Sequence, residues 1–174
     1  MRALPNLITA LRLALTPVVV FAILRHQWHA AAWWFALAAF TDFLDGWSAR
    51  KLHLSSRSGQ FFDPVADKIL LMAVTLALAA AGRIPVWFVA VVVGRDVVLL
   101  LTSLAGLAFT GYRNYQPTQL GKLSTVLQIA VVTVALALPP VWAAWLAWPS
   151  AGVTLASGVH YLWRAFTAGG PRLR

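Results

Sequence analysis

The chain has 174 residues, 60% hydrophobic and only 11% charged, with a mean hydropathy of +0.75; a soluble domain is about 45–50% apolar and about 25% charged, so an ordinary water-soluble domain is excluded and lipid is the expected solvent. The net charge of +9 comes from Lys and Arg that punctuate the ends of apolar runs rather than forming one dense tract, which argues against a nucleic-acid partner and for anionic lipid headgroups. The absence of Cys excludes disulfides and thiolate metal sites.

Six apolar segments follow in chain order, at about 6–25, 28–50, 62–82, 85–110, 117–138 and 141–166. Their length and lack of period-two alternation predict helices, several of them about 20 residues long and able to cross a hydrocarbon core of about 30 Å. No second domain or low-complexity linker interrupts 1–174, so one transmembrane domain is expected. The first segment runs past the length of a signal h-region, and no cleavable signal pattern precedes it. Along its start, Asn6, Thr9 and Arg12 recur every three residues as a polar face, suited either to capping and headgroup contact or to supporting a phosphate or metal site.

The second and third segments meet at residues 41–68, TDFLDGWSARKLHLSSRSGQFFDPVADK. The chain has five acidic residues, all Asp, and four of them lie here: Asp42, Asp45, Asp63 and Asp67. Asp42 and Asp45 share one helical face at i, i+3; Asp63 and Asp67 share another at i, i+4. A short antiparallel connection is expected to bring these faces together at the membrane surface. Four converging carboxylates cannot all stay ionised without cations among them. A salt-bridge network with Arg50, Lys51, Arg57 and Lys68 is one solution. A divalent metal site is the other, with all-oxygen ligands suited to Mg²⁺ or Mn²⁺ and a two-metal centre of about 3.5–4 Å separation.

Gly82 and Pro85 punctuate the next break as helix stop and start, and Gly111 and Pro117 do the same before the fifth segment. Within the fourth segment Arg95 is an intramembrane cation and therefore a functional candidate, either binding an acceptor phosphate or sitting in a structural salt bridge. Adjacent helical residues point about 100° apart, so Arg95 and Asp96 need not pair, and Asp96 is expected to orient a basic or polar neighbour. Lys122, at the inner end of the fifth segment, and Arg113, in the preceding connection, are further phosphate-binding candidates. With the N-terminus placed inside, 11 of the 14 Lys and Arg fall at inner ends, Arg25 and Arg83 alone fall at outer ends, and Arg95 lies mid-helix. That bias predicts cytoplasmic termini and a cytoplasmic acidic cluster. Many of the nine Trp lie near segment ends, as interface anchors do, and the four scattered His read as interfacial residues.

The pattern Asp42-x2-Asp45-Gly46-x2-Ala49-Arg50-x8-Gly59-x3-Asp63-x3-Asp67 resembles the signature of the CDP-alcohol phosphotransferases (CDP-alcohol phosphatidyltransferases) at every fixed position. The resemblance extends through PNLITALR, DPVADKIL, GRDVVLL and PTQLGKLSTVLQ. It implies an all-α membrane enzyme of six transmembrane helices, usually a homodimer, in the bacterial inner membrane. Two divalent cations, Mg²⁺ or Mn²⁺, would be bound by Asp42, Asp45, Asp63 and Asp67, with Asp67 also the proposed general base. Gly46, Ala49, Arg50 and Gly59 would line the CDP site, supported by Asn6 and Thr9. The donor would be CDP-diacylglycerol, and attack by an acceptor hydroxyl would release CMP.

Two acceptors are consistent with this motif. Cardiolipin synthases of the eukaryotic type use phosphatidylglycerol; phosphatidylglycerophosphate synthases use glycerol 3-phosphate. Relatives of the second kind follow the helix-4 Arg with Glu and place another Arg one or two turns later. Here Asp96 follows Arg95, and VVLLLTSLAGLAF has no further Arg, so the resemblance leans to cardiolipin synthase, with Arg95, Lys122 and Arg113 as acceptor-binding candidates. An intramembrane prenyltransferase and a metal transporter are remoter alternatives, separated by the product released and by dependence on a nucleotide donor.

Overall fold

The structure is a computed structural model. It describes the backbone of residues 4–52, 59–110 and 119–168, and side chains within 11–41, 68–101 and 119–163. Six helices occupy it: α1 (Leu4–Leu24), α2 (Trp28–Leu52), α3 (Gly59–Ala80), α4 (Val86–Thr110), α5 (Gln119–Ala137) and α6 (Pro140–Ala168). Each matches an expected segment within about three residues. α3 begins at Gly59 rather than 62 and α2 runs on to Leu52, so all four clustered Asp are helical positions.

Local chemistry sets the turns. α1 and α3 end in the same way: the amides of His26 and Gly82 donate to the carbonyls of Ile23 and Ala79, and the next amides, of Gln27 and Arg83, donate back to Ala22 and Leu78. Both are Schellman closures with a left-handed residue, His26 at φ 57° and Gly82 at φ 71°. Glycine adopts that conformation without strain; a histidine does so against a cost of about 1–2 kcal/mol. The expected stop at Gly82 is thus observed, whereas Gly111 and Pro117 lie outside the described residues.

Packing falls into two groups. α1 packs against both α2 and α3, through Leu15, Thr16, Val19, Ala22 and Ile23 at helical spacing. α6 packs against α5 and α4, and contacts of α2 and α3 with α5, and of α3 with α4, join the groups. α1, α2 and α3 thus form a three-helix unit in which α1 packs against both neighbours. The expected meeting of the α2 and α3 Asp faces falls on side chains outside the described residues.

Arg83 stacks on Trp28, 4.2 Å from the ring centroid, and Trp87 meets Trp148 with centroids 4.5 Å apart. These contacts gather the α1–α2, α3–α4 and α5–α6 turns at one end, the tryptophan end, and leave the Asp motif towards the other. The exterior is apolar: Trp33, Trp145, Val159 and Leu100 are exposed, while Arg12, Thr75, Ser124, Gln128, Ser150, Thr154 and Ser157 are buried. Such an arrangement inverts the usual order of a water-soluble bundle. Among the described residues one helix, Gln119–Ala137, is by itself long and apolar enough to cross a membrane; Leu11–Leu24 and Lys68–Ala80 are apolar but shorter.

Candidate functional site

A cavity of about 270 Å³ opens between α1, α2, α3, α4 and α5. Its walls are mostly apolar: Phe35, Ala38 and Ala39 from α2, Leu70, Leu71 and Met72 from α3, Val92 and Val93 from α4, and Ile129 from α5. One end is charged. There Arg12, Lys68, Arg95 and Asp96 line it. Thr75, Thr125 and Gln128 are its uncharged polar members.

The charged end is a small network centred on one oxygen. Asp96 Oδ1 accepts from Arg95 Nη1 at 2.7 Å and from Lys68 Nζ at 2.9 Å, tying α4 to α3. Arg95 and Asp96, which as helical neighbours need not pair, do pair here, and Lys68 of α3 shares the same carboxylate oxygen. The expectation that Asp96 orients a basic neighbour describes what is seen. Arg95 is only 12% exposed, against 58% for Lys68. Its Nη2 reaches Ser157 Oγ at a long 3.5 Å, and its Nε has no hydrogen-bond partner among the described residues. Gly158 lies beside it: a Cβ there would make ordinary contact, 3.7 Å from Arg95 Cγ. A buried guanidinium with spare donor capacity in a cavity wall suits an anionic oxygen ligand.

The other sequence-derived candidates fall as follows. Arg12 is 2% exposed and belongs to the cavity wall rather than to a headgroup-facing surface. Lys122 lies in the first turn of α5, exposed and outside this cavity's lining. Arg113 lies outside the described residues. Asn6 and Thr9 are in α1, Asp42, Asp45, Gly46, Ala49 and Arg50 in α2, and Gly59, Asp63 and Asp67 in α3; their side chains lie outside the described residues.

Sequence reasoning missed Thr75 and Gln128, and assigned Lys68 only to a charge network. The signal for the first two was present: each is a lone polar residue in an apolar run, LMAVTLALA and VLQIAVV, and polar side chains in such runs are costly unless something uses them.

Residues 2–156 match the family model described as CDP-alcohol phosphatidyltransferase. Among curated proteins, the chain is 38% identical over 168 residues to the CDP-diacylglycerol–glycerol-3-phosphate 3-phosphatidyltransferase of Pseudomonas fluorescens, covering 92% of this chain and 85% of that one. It is 32% identical over 156 residues to the cardiolipin synthase (CMP-forming) of Rattus norvegicus, covering 78% of this chain and 50% of that one. It is 32% identical over 152 residues to a cardiolipin synthase (CMP-forming)/mitochondrial hydrolase fusion protein of Schizosaccharomyces pombe, covering 78% of this chain and 25% of that one. The chain thus spans a quarter to a half of these two cardiolipin-synthase relatives and most of the bacterial one.

Proposed function

The chain belongs to the CDP-alcohol phosphatidyltransferase family, and from that premise we propose that it transfers a phosphatidyl group from CDP-diacylglycerol to phosphatidylglycerol, releasing CMP. The observation that carries the choice of acceptor is that Asp96 follows Arg95 with no further Arg in the rest of α4, and the cavity agrees with it: a cationic end continuous with walls of Phe35, Leu70, Leu71, Met72 and Val92. Glycerol 3-phosphate has no apolar part to bury against such walls, whereas a phospholipid does.

Helical register supports the link between cavity and motif. Ala38 lines the cavity and Asp42 follows it at i+4; Leu71 lines it and Asp67 precedes it at i−4. Asp42, Asp45, Asp63 and Asp67 form an all-oxygen donor set with no thiol in the chain, which fits two hard divalent cations, Mg²⁺ or Mn²⁺. When bound, such ions supply charge stabilisation to a pyrophosphate donor and its leaving group. The chain's own residues do the rest. Gly46, Ala49, Arg50 and Gly59, with Asn6 and Thr9, hold the CDP moiety. Arg95, joined by Lys122 and Arg113, draws in the acceptor's phosphate. Asp67 takes the proton from the acceptor hydroxyl as its oxygen bonds to the lipid-bearing phosphorus and the bond to CMP breaks.

The same reading makes the protein a six-span homodimer of the bacterial inner membrane, with both termini and the Asp motif on the cytoplasmic side. The apolar exterior, the basic bias of the inner ends and the Trp-rich opposite end support it.

Phosphatidylglycerophosphate synthesis from glycerol 3-phosphate is the second reading. It is favoured by the extent of the match to the Pseudomonas fluorescens relative. Purified protein supplied with CDP-diacylglycerol and each acceptor separates the two: cardiolipin is the expected product, and phosphatidylglycerophosphate without cardiolipin overturns the choice.

A further inference from the structure

The cavity holds a polar pair that neither the cationic end nor the Asp motif explains. Thr75 lies two turns beyond Lys68 on α3, roughly 10 Å further into the bundle. It is 1% exposed, and Gln128 of α5 is 8% exposed. Thr75 Oγ1 donates to the carbonyl of Leu71 at 2.6 Å, which commits its only proton. It can therefore meet Gln128 only as an acceptor, and this fixes which way the amide is turned: Nε2 faces Thr75, at a long 3.5 Å. The second N–H and the carbonyl oxygen of Gln128 then have no partner among the described residues, and Gln128 lines the cavity. A carboxamide with a spare N–H and a spare carbonyl oxygen, set among Phe35, Leu71, Val92 and Ile129 in a cavity wall, is placed to serve a polar atom of a ligand that is otherwise apolar.

Resting on the reading that this cavity takes lipid, we propose that Gln128, held by Thr75, determines specificity by donating a hydrogen bond to an acyl-ester carbonyl of a glycerophospholipid. The molecule's phosphate lies at the Lys68–Arg95 end and its chains continue along the apolar wall. The chemistry matches at both stations. Cations meet the phosphate, an uncharged N–H meets an ester oxygen that carries no proton, and among the described residues no cation lines the cavity beside Thr75 and Gln128 to favour a smaller, wholly ionic acceptor. The ester belongs either to the acceptor phospholipid or to the CDP-linked donor, and the two are separable because each substrate can be varied alone.

The test uses the full chain in lipid nanodiscs and ether-linked substrates, which keep the chains, phosphate and hydroxyls but lack the ester carbonyl. With diacyl donor held saturating, the KM for dialkyl phosphatidylglycerol should exceed that for the diacyl form by about three- to tenfold, the size of one neutral hydrogen bond. Gln128→Leu should bring that ratio to about one. Thr75→Val should lower it, while Thr75→Ser, which keeps the hydroxyl, should preserve it. A purely structural Gln128 would alter stability and leave the ratio alone. If the discrimination is found instead with dialkyl CDP-donor and diacyl acceptor, the carbonyl is the donor's and the role of Gln128 stands. Equal use of ester and ether forms in both arms, or a ratio unchanged in Gln128→Leu, overturns the proposal. Should phosphatidylglycerol not react while glycerol 3-phosphate does, the acceptor reading fails, and the donor arm run with glycerol 3-phosphate still decides the role of Gln128.

Discussion

Replacing Asp96 with Asn removes one charge from the centre of the cationic end while keeping its shape. Two contacts are lost in unequal environments. Arg95 Nη1 stands 2.7 Å from Asp96 Oδ1 with its side chain 12% exposed; Lys68 Nζ stands 2.9 Å away but is 58% exposed. Breaking a buried pair by removing one partner costs about 3–5 kcal/mol, because the remaining charge is left uncompensated. An exposed pair contributes about 0–1 kcal/mol. Asp96 is itself 25% exposed and Asn retains an acceptor oxygen for the guanidinium, so the loss falls below that range: about 2 kcal/mol in total, nearly all from Arg95. Unfolding of the purified protein in mixed micelles with a denaturing detergent reads this directly. Double-mutant cycles with Arg95→Met and Lys68→Met apportion it, with a coupling above about 1 kcal/mol expected for Arg95 and a smaller one for Lys68. A Lys68 coupling equal to or larger than that of Arg95, or a total loss under about 0.5 kcal/mol, would refute burial as the deciding factor.

Three further outcomes are expected. Asp67→Asn should lower kcat by at least about 10²-fold, as loss of a general base does, with thermal stability near wild type; in the unaltered protein, thorough chelation should stop turnover and either Mg²⁺ or Mn²⁺ should restore it, and full activity after either treatment contradicts the assignment. Gly158→Ala should be almost silent, because the added Cβ makes only ordinary contact at 3.7 Å with Arg95; Gly158→Leu should displace the guanidinium and raise the acceptor KM several-fold, a change that steady-state kinetics resolves. His26→Gly should stabilise the protein by up to about 1 kcal/mol through relief of the left-handed backbone at φ 57°, offset in part by loss of the edge contact between His26 and Trp28; a lower melting temperature for this variant would show that the ring contact dominates.

Much of the architecture was legible in the order of residues. Gly82 and Pro85 mark helix ends by backbone chemistry that acts within a few residues, so segment limits hold to within about three residues. The Asp spacing likewise needs only the helical repeat. What depends on the third dimension was not legible. Nothing in α1 announces that it packs against both α2 and α3; that follows from its apolar stripe fitting both neighbours at once. That Lys68 shares the Asp96 oxygen with Arg95 depends on two helices meeting. The burial of Arg12 is conferred by other helices and is not written in its own segment. Thr75 and Gln128 stand out singly as polar residues in apolar runs, but that they face each other across one cavity needs the fold.

The cavity lies along the seam where the α1–α3 unit meets the α4–α6 unit. Each unit is knit internally by its own central helix, α1 or α6. Widening the opening would therefore disturb only the contacts of α2 and α3 with α5, and of α3 with α4, and neither interior. Under the proposed reading, a two-tailed acceptor would enter sideways through this parting, chains first, and a product with more chains would leave by it.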